Sequence, residues 1–232
     1  MSKRKNFAQR LANRLNEKFS PRPTEVDTTR FNDEIANITA WSPMKGGGSN
    51  FSTHKLVIDS DSRMEFVASN QGVIFALVFI LAGAGVFIFG FAGQTVGGNI
   101  CMGLFGLPFL AIGVFLFRSS IQPIVFDKKQ DRFWIGFDPS NIPDNKTSCS
   151  LNRVHAIQLI EEWNSGSDSA YFSYELNLVL KTGERIHVVD HGDSNQMRVD
   201  AQVLGEFLNV PIWDIISGTG SSSRGKGFVF KR

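Results

Sequence analysis

Two long uncharged stretches dominate the pattern of apolar and polar positions. From Gly72 to Gly93 the chain reads GVIFALVFILAGAGVFIFGFAG, with no charged residue. After a short connection, QTVGGN at 94–99, a second run reads ICMGLFGLPFLAIGVFLF from Ile100 to Phe117 and is closed by Arg118. About 20 apolar residues are needed to cross roughly 30 Å of hydrocarbon as a helix. The spacing therefore predicts a transmembrane hairpin over 71–118, with spans 72–93 and 100–117 and a tolerated kink at Pro108. Two near-adjacent uncharged runs of this length fit a buried helix pair in a soluble domain poorly. The first run begins far too late for a cleaved secretory signal, so both spans are expected in the mature protein.

Small residues recur every seven positions: Ala76, Gly83 and Gly90 in the first run, Gly106 and Gly113 in the second. Seven residues are two helical turns, so each set lines one face and permits close backbone approach. That face serves either packing of the hairpin on itself or contact with other copies or another membrane subunit. No Asp, Glu, Lys, Arg or His lies within the runs, which argues against an ion or proton pathway built from this chain alone.

The rest of the chain alternates as strands do. His54–Ile58 and Met64–Ala68 flank the polar turn DSDSR, and Ile121–Phe126 and Arg132–Phe137 flank DKKQD. Arg153–Trp163 carries Val154, Ala156 and, after a shift, Leu159 as inward positions. Tyr171–Leu180 presents Phe172, Tyr174, Leu176, Leu178 and Leu180 on one face, and Arg185–Val189 follows the Thr182-Gly183 turn. The period then changes. Met197, Ala201, Leu204 and Leu208 form the stripe of a helix over 194–208, capped by Ser194 and stopped by Pro211, with Trp213 packing back onto the sheet.

Residues 2–20 read as a basic amphipathic helix, with Phe7, Leu11, Leu15 and Phe19 at four-residue steps. Seven basic residues up to Arg22 stand against the single acid Glu17. Such an arm can lie on an anionic membrane, dock in a groove of a partner or of its own domain, or remain solvated. Nucleic acid is a further reading, for which one short helix says little. Residues 40–51, with Pro43 and Gly46-Gly47-Gly48, read as a flexible joint. The tail SGTGSSSRGKGFVFKR reads as a flexible linker with a basic-aromatic tip, or as a source of an FVF strand for a partner's sheet edge.

Charge sets orientation. The connection at 94–99 is uncharged, while Lys45, Lys55 and Arg63 precede the spans and Arg118, Lys128, Lys129 and Arg132 follow them. Both flanks are therefore expected on the cytoplasmic side of a bacterial inner membrane. Cys101 and Cys149 then lie on or near opposite sides and do not pair. The whole chain has formal net charge +2, yet residues 121–216 hold 8 Lys and Arg against 14 Asp and Glu, which opposes nucleic-acid binding.

The order of elements resembles the pleckstrin-homology-like fold of bacterial membrane proteins, in which small domains of this kind adjoin a helical hairpin. The residues that carry the resemblance are THKLVIDSDSRMEF, PIVFDKKQDRFWIG, YFSYELNLVLKTGERIHVVDHGD and the final helix with PIWD, spanning roughly 53–214. It implies an α+β membrane protein: a two-helix hairpin inserted between the second and third strands of an antiparallel β-rich domain with a C-terminal helix. The corresponding segments are an arm at 1–22, a linker at 23–52, two strands at 53–70, the hairpin at 71–118, the domain at 119–216 and a tail at 217–232. The resemblance implies binding or scaffolding rather than catalysis. Eukaryotic members often bind phosphoinositides through a basic loop between the first two strands; here that loop, Asp59–Arg63, is mostly acidic, which argues against that route.

No catalytic constellation is evident. His187, Asp190 and His191 in HVVDHGD are the metal candidates, because the two histidines share a face if the strand is regular; a strand-end turn explains the segment equally well. There is no GxSxG, and the glycines at 46–48 lack a following Lys-Ser or Lys-Thr. Glu161 and Glu162 read as a solvated strand end. No cofactor is called for. The leading expectation is a non-enzymatic membrane-anchored binding or scaffold protein whose partners are lipid and other membrane or cytoplasmic proteins. The alternatives are an oligomer-forming or accessory subunit, and an enzyme using His187, Asp190 and His191.

Overall fold

The computed structural model describes residues 26–92, 98–137, 144, 146–165 and 170–216. The expected arm with Phe7, Leu11, Leu15 and Phe19, and the tail, lie outside the described residues, as does the Cys101 side chain. The protein is mixed α+β. A 3₁₀ turn at Thr28–Phe31 and a short helix α1 (Glu34–Ile38) precede β1 (His54–Ser60) and β2 (Arg63–Ala68). Helices α2 (Asn70–Ala92) and α3 (Gly98–Ser120) follow, 23 residues each. Then come β3 (Ile124–Asp127), β4 (Arg132–Ile135), β5 (Ser148–Ser150), β6 (Val154–Ser165), β7 (Ala170–Leu180), β8 (Arg185–His191), helix α4 (Ser194–Leu208) and β9 (Ile212–Asp214).

Two sheets form, ordered β1-β2-β3-β4-β5 and β8-β7-β6-β9. Neighbours are antiparallel except β9, which lies parallel to β6. The sequence leaves open whether the two early strands join the later ones. They do: Phe66 pairs with Ile124 and Met64 with Phe126, so the helix pair is inserted between adjacent strands. Both ends of an antiparallel helical hairpin emerge side by side, and a sheet tolerates such an insertion where a β-turn would otherwise stand.

Period-two alternation directs Met64, Phe66, Ile124, Phe126 and Phe133 from the first sheet against Ile157, Leu159, Leu176 and Leu178 from the second. Burying each of these large side chains stabilises the domain by about 2–3 kcal/mol before the entropy of ordering is counted. Helix α4 closes the core with Met197, Ala201, Leu204 and Phe207. Its cap is Asp193 and not Ser194: the Asp193 carboxylate accepts from Asn195 N–H (2.8 Å) and Gln196 N–H (3.2 Å). Asn209, at φ 57°, ends the helix in the left-handed conformation that a short polar side chain tolerates. The strand at 153–163 shifts phase before Ala156 and not after it: β6 carries its irregularity between Val154 and Ala156, so Ala156, expected inward beside Val154, turns away from the main core to the Trp213 side.

Helices α2 and α3 meet through their small residues. A Cβ added at Gly83 would stand 2.5 Å from the Leu110 nitrogen, one at Gly106 2.6 Å from the Gly83 carbonyl, and one at Gly113 2.7 Å from the Ile80 nitrogen. These neighbours are backbone, so only glycine permits this approach. Ala76 and Gly90 are buried as well. The outward faces remain bare, with Leu81, Phe89, Phe105 and Phe115 each at least 65% exposed. Both helices are long and apolar enough to cross a membrane, and α3 runs through Pro108 without interruption.

Candidate functional site

The histidine segment sits on β8, and one extra residue decides its chemistry. Leu176 pairs with Val189 but Asn177 pairs with His187, leaving Val188 as a bulge. A bulge of one residue reverses the parity of everything beyond it. His187 and Asp190, three apart, therefore share the outer face with Glu175 and Asn177. His191 pairs with Tyr174 and turns to the core side, where it is 2% exposed. The expected His187–Asp190–His191 set is corrected accordingly: the strand is not regular, and the group brought together is Glu175, His187 and Asp190, whose ligand-type atoms lie within 4.8 Å of one another.

That group has the donors for a divalent cation, but its lone pairs are engaged. Glu175, 2% exposed, accepts from Met44 N–H through both oxygens (3.0 and 2.9 Å) and from Lys45 N–H (3.0 Å). Its Oε1 also accepts from the Asn177 amide at 2.6 Å. His187 Nε2 and Asp190 Oδ1 lie 3.0 Å apart. A metal would have to displace the backbone that Glu175 holds. The arrangement reads chemically as a hydrogen-bonded seam.

What the seam holds is the segment expected to be a flexible joint. Residues 40–53 run as a strap across the outer face of β6–β8. Gln158 donates to the Ala40 carbonyl (3.0 Å), Arg185 to the Ser42 carbonyl (2.7 Å) and Thr53 Oγ1 to the Asp190 carbonyl (2.9 Å). Glu162 is no solvated strand end: its carboxylate accepts from Gly47 N–H (3.2 Å) and Gly48 N–H (3.1 Å). Each acid thus meets two backbone N–H groups of the strap, a concave arrangement suited to an anion. Gly48 is required by proximity, because a Cβ there would stand 2.5 Å from Ser173 Oγ. Upstream, Phe31 and Trp41 stack (centroids 5.2 Å apart) over Trp213, which also meets the His155 ring at 5.8 Å. Asp33, the cap of α1, lies 2.7 Å from His155 Nε2.

Burial governs the titrating groups. It pushes the His54 and His191 pKa values down and the Asp200 value up. His191 Nδ1 accepts from Asp193 N–H at 2.9 Å, which needs the neutral ring. A cavity of about 530 Å³ opens beside β5 and the β7–β8 turn, lined by Met44, Lys146, Cys149, Arg153 and Arg185 among others. Its one thiol is poorly suited to nucleophilic chemistry: burial first, and Asp144 second, push Cys149 up to about 12.

Glu162 and Glu175 are the anchoring residues that sequence reasoning passes over. Their only local signal is a polar residue at an outward strand position, the same signal a solvated face gives. Compared with models of known protein families and with curated proteins, the chain matches none.

Proposed function

We propose that this chain is a two-pass protein of a bacterial inner membrane, with a pleckstrin-homology-like domain held at the cytoplasmic surface as a non-enzymatic binding or scaffold module. The observation that carries the reading is the helix pair. Two helices of 23 residues pack through glycines, keep their outward faces apolar and uncovered, and are inserted between two paired strands. Bare apolar faces of this length are stable where lipid covers them.

The order of elements supports the domain reading: a β1–β4 meander, a second sheet led by β6–β8, then a C-terminal helix across the core. The cytoplasmic placement rests on Arg118, Lys128, Lys129 and Arg132 after the helices and Lys45, Lys55 and Arg63 before them. A binding role fits better than catalysis, because Glu175 of the Glu175–His187–Asp190 group is occupied by the strap and the one described thiol is held protonated. The described small residues of the stripe, Ala76, Gly83, Gly90, Gly106 and Gly113, are buried within the protein, with Gly83, Gly106 and Gly113 spent on packing the hairpin on itself, which favours the binding reading over the oligomeric-subunit one.

The test is extraction from native membranes. The protein should resist alkaline carbonate and leave with detergent, and after gentle extraction its particle should contain a stoichiometric second protein by mass spectrometry. Release by carbonate removes the membrane reading. A lone particle of monomer mass removes the scaffold reading.

A further inference from the structure

The β-rich domain has two chemically different ends. At one end stand the β1–β2 turn with Asp59 and Asp61, the β3–β4 turn with Lys128 and Lys129, and the β7–β8 turn with Lys181 and Glu184. Hydrogen bonds tie this end across the two sheets: Leu151 N–H donates to the Asp131 carbonyl (3.0 Å) and Lys181 N–H to the Arg153 carbonyl (2.9 Å).

The other end bears the helices, and the same kind of contact defines it. Ser69 N–H, just before α2, donates to the Thr53 carbonyl (2.9 Å), and Phe51 lies 6.2 Å from Phe75 on the first turns of α2. Gly192, just past β8, presses so closely on Asn50 and Phe51 that a Cβ there would overlap their backbone. Gly136 N–H donates to the Pro123 carbonyl (2.8 Å), three residues beyond the last residue of α3, so at most about 10 Å of chain separates them.

This helix-bearing end is aromatic where the opposite end is charged. Phe137 follows Gly136 directly and is 70% exposed. Hairpin β6–β7 continues four rungs past its last pairing with β8, from Ser173–Glu162 to Ala170–Ser165, a projection of about 14 Å. On it the Trp163 and Phe172 rings pack with centroids 4.6 Å apart and planes tilted by 57°, and Phe172 is 37% exposed. The base of this projection is fixed to the helix-bearing end, because Glu162 and Tyr171 both hold Gly48 (3.1 and 3.0 Å), three residues before Phe51.

We propose that the helix-bearing end of the domain is a lipid-seating surface, with Phe137 and the Trp163–Phe172 pair lying in the interfacial layer of the bilayer that α2 and α3 cross. The proposal rests on the membrane reading of those helices. Aromatic rings favour the interface, where an apolar body and a wet rim are satisfied together. A domain joined to two adjacent helices by only a few residues has little freedom to lift its aromatic end away. Seating this end turns the acidic β1–β2 loop toward the cytoplasm and leaves it open to a soluble partner.

The test places nitroxide labels on the full chain in lipid nanodiscs, in a Cys101→Ala background with Cys149 left buried. Labels go at Phe137→Cys, Phe172→Cys, Phe105→Cys on the bare face of α3, and Lys129→Cys at the opposite end. Collision rates with oxygen, which concentrates in lipid, and with a nickel chelate, which stays in water, are read at each position. The proposal expects oxygen to dominate at 137, 172 and 105, and the chelate at 129. Chelate dominance at 137 and 172 with oxygen dominance at 105 overturns the lipid seat and leaves the membrane reading intact. Chelate dominance at 105 overturns both.

Discussion

Glu175→Gln tests the claim that buried carboxylates hold the strap. Glutamine keeps the shape but supplies one acceptor oxygen in place of two and turns an NH₂ toward backbone donors. Met44 N–H and Lys45 N–H both depend on this carboxylate, so at least one buried N–H loses its acceptor, a cost of about 1–3 kcal/mol. The bonds that remain lose their charge assistance, about another 1 kcal/mol. Arg185, whose charge Glu175 helps to balance, is less well compensated. Local opening of residues 40–50 should become easier by about 3 kcal/mol, roughly a hundredfold in the opening constant. Glu162→Gln, at a half-buried site, should cost only about 1 kcal/mol by the same chemistry. Amide hydrogen exchange of the 40–50 segment reads both variants. Unchanged exchange in Glu175→Gln, or a larger effect from Glu162→Gln, refutes the reasoning.

Three further outcomes are expected. The folded-state pKa values of His54 and His191 lie below the ordinary 6.5. The unfolded chain therefore binds more protons as pH falls through that value, so their stability is full above it and is lost as pH falls toward the folded values. Asp200 acts oppositely, its contribution being present below 3.8 and lost as pH rises through its raised value. The denaturant midpoint should accordingly drop from pH 7 toward pH 5.5, less steeply in His191→Gln; an unchanged slope argues against His191 as a cause. Gly106→Ala should lower thermal stability in detergent by about 2 kcal/mol, because its Cβ meets the Gly83 carbonyl and Phe87 nitrogen. Gly85→Ala, with open space around it, should be neutral or slightly stabilising, and equal effects contradict the packing. Cys149 should resist maleimide near neutral pH in the folded protein and react after denaturation; fast native labelling contradicts its burial.

Local sequence determined which segments are regular and which face of each is apolar. The two uncharged runs set the helices to within a few residues of Asn70–Ala92 and Gly98–Ser120. The apolar stripe set α4 at Ser194–Leu208, and alternation located the long strands, because these signals depend on neighbours a few positions apart. Short β5 and β9, three residues each, carry too few positions for a period and escape the reading. Only the tertiary structure decided the rest. Pairing of β2 with β3 joins residues more than fifty positions apart. The bulge at Val188 reversed the parity of β8, replacing His191 with Glu175 in the polar group. Alternation marks Glu162, Glu175 and Asn177 as outward, but whether an outward face meets water or a strap of distant backbone depends on where that backbone lies. Periodicity encodes the direction of a side chain, and only the folded chain supplies what stands in front of it.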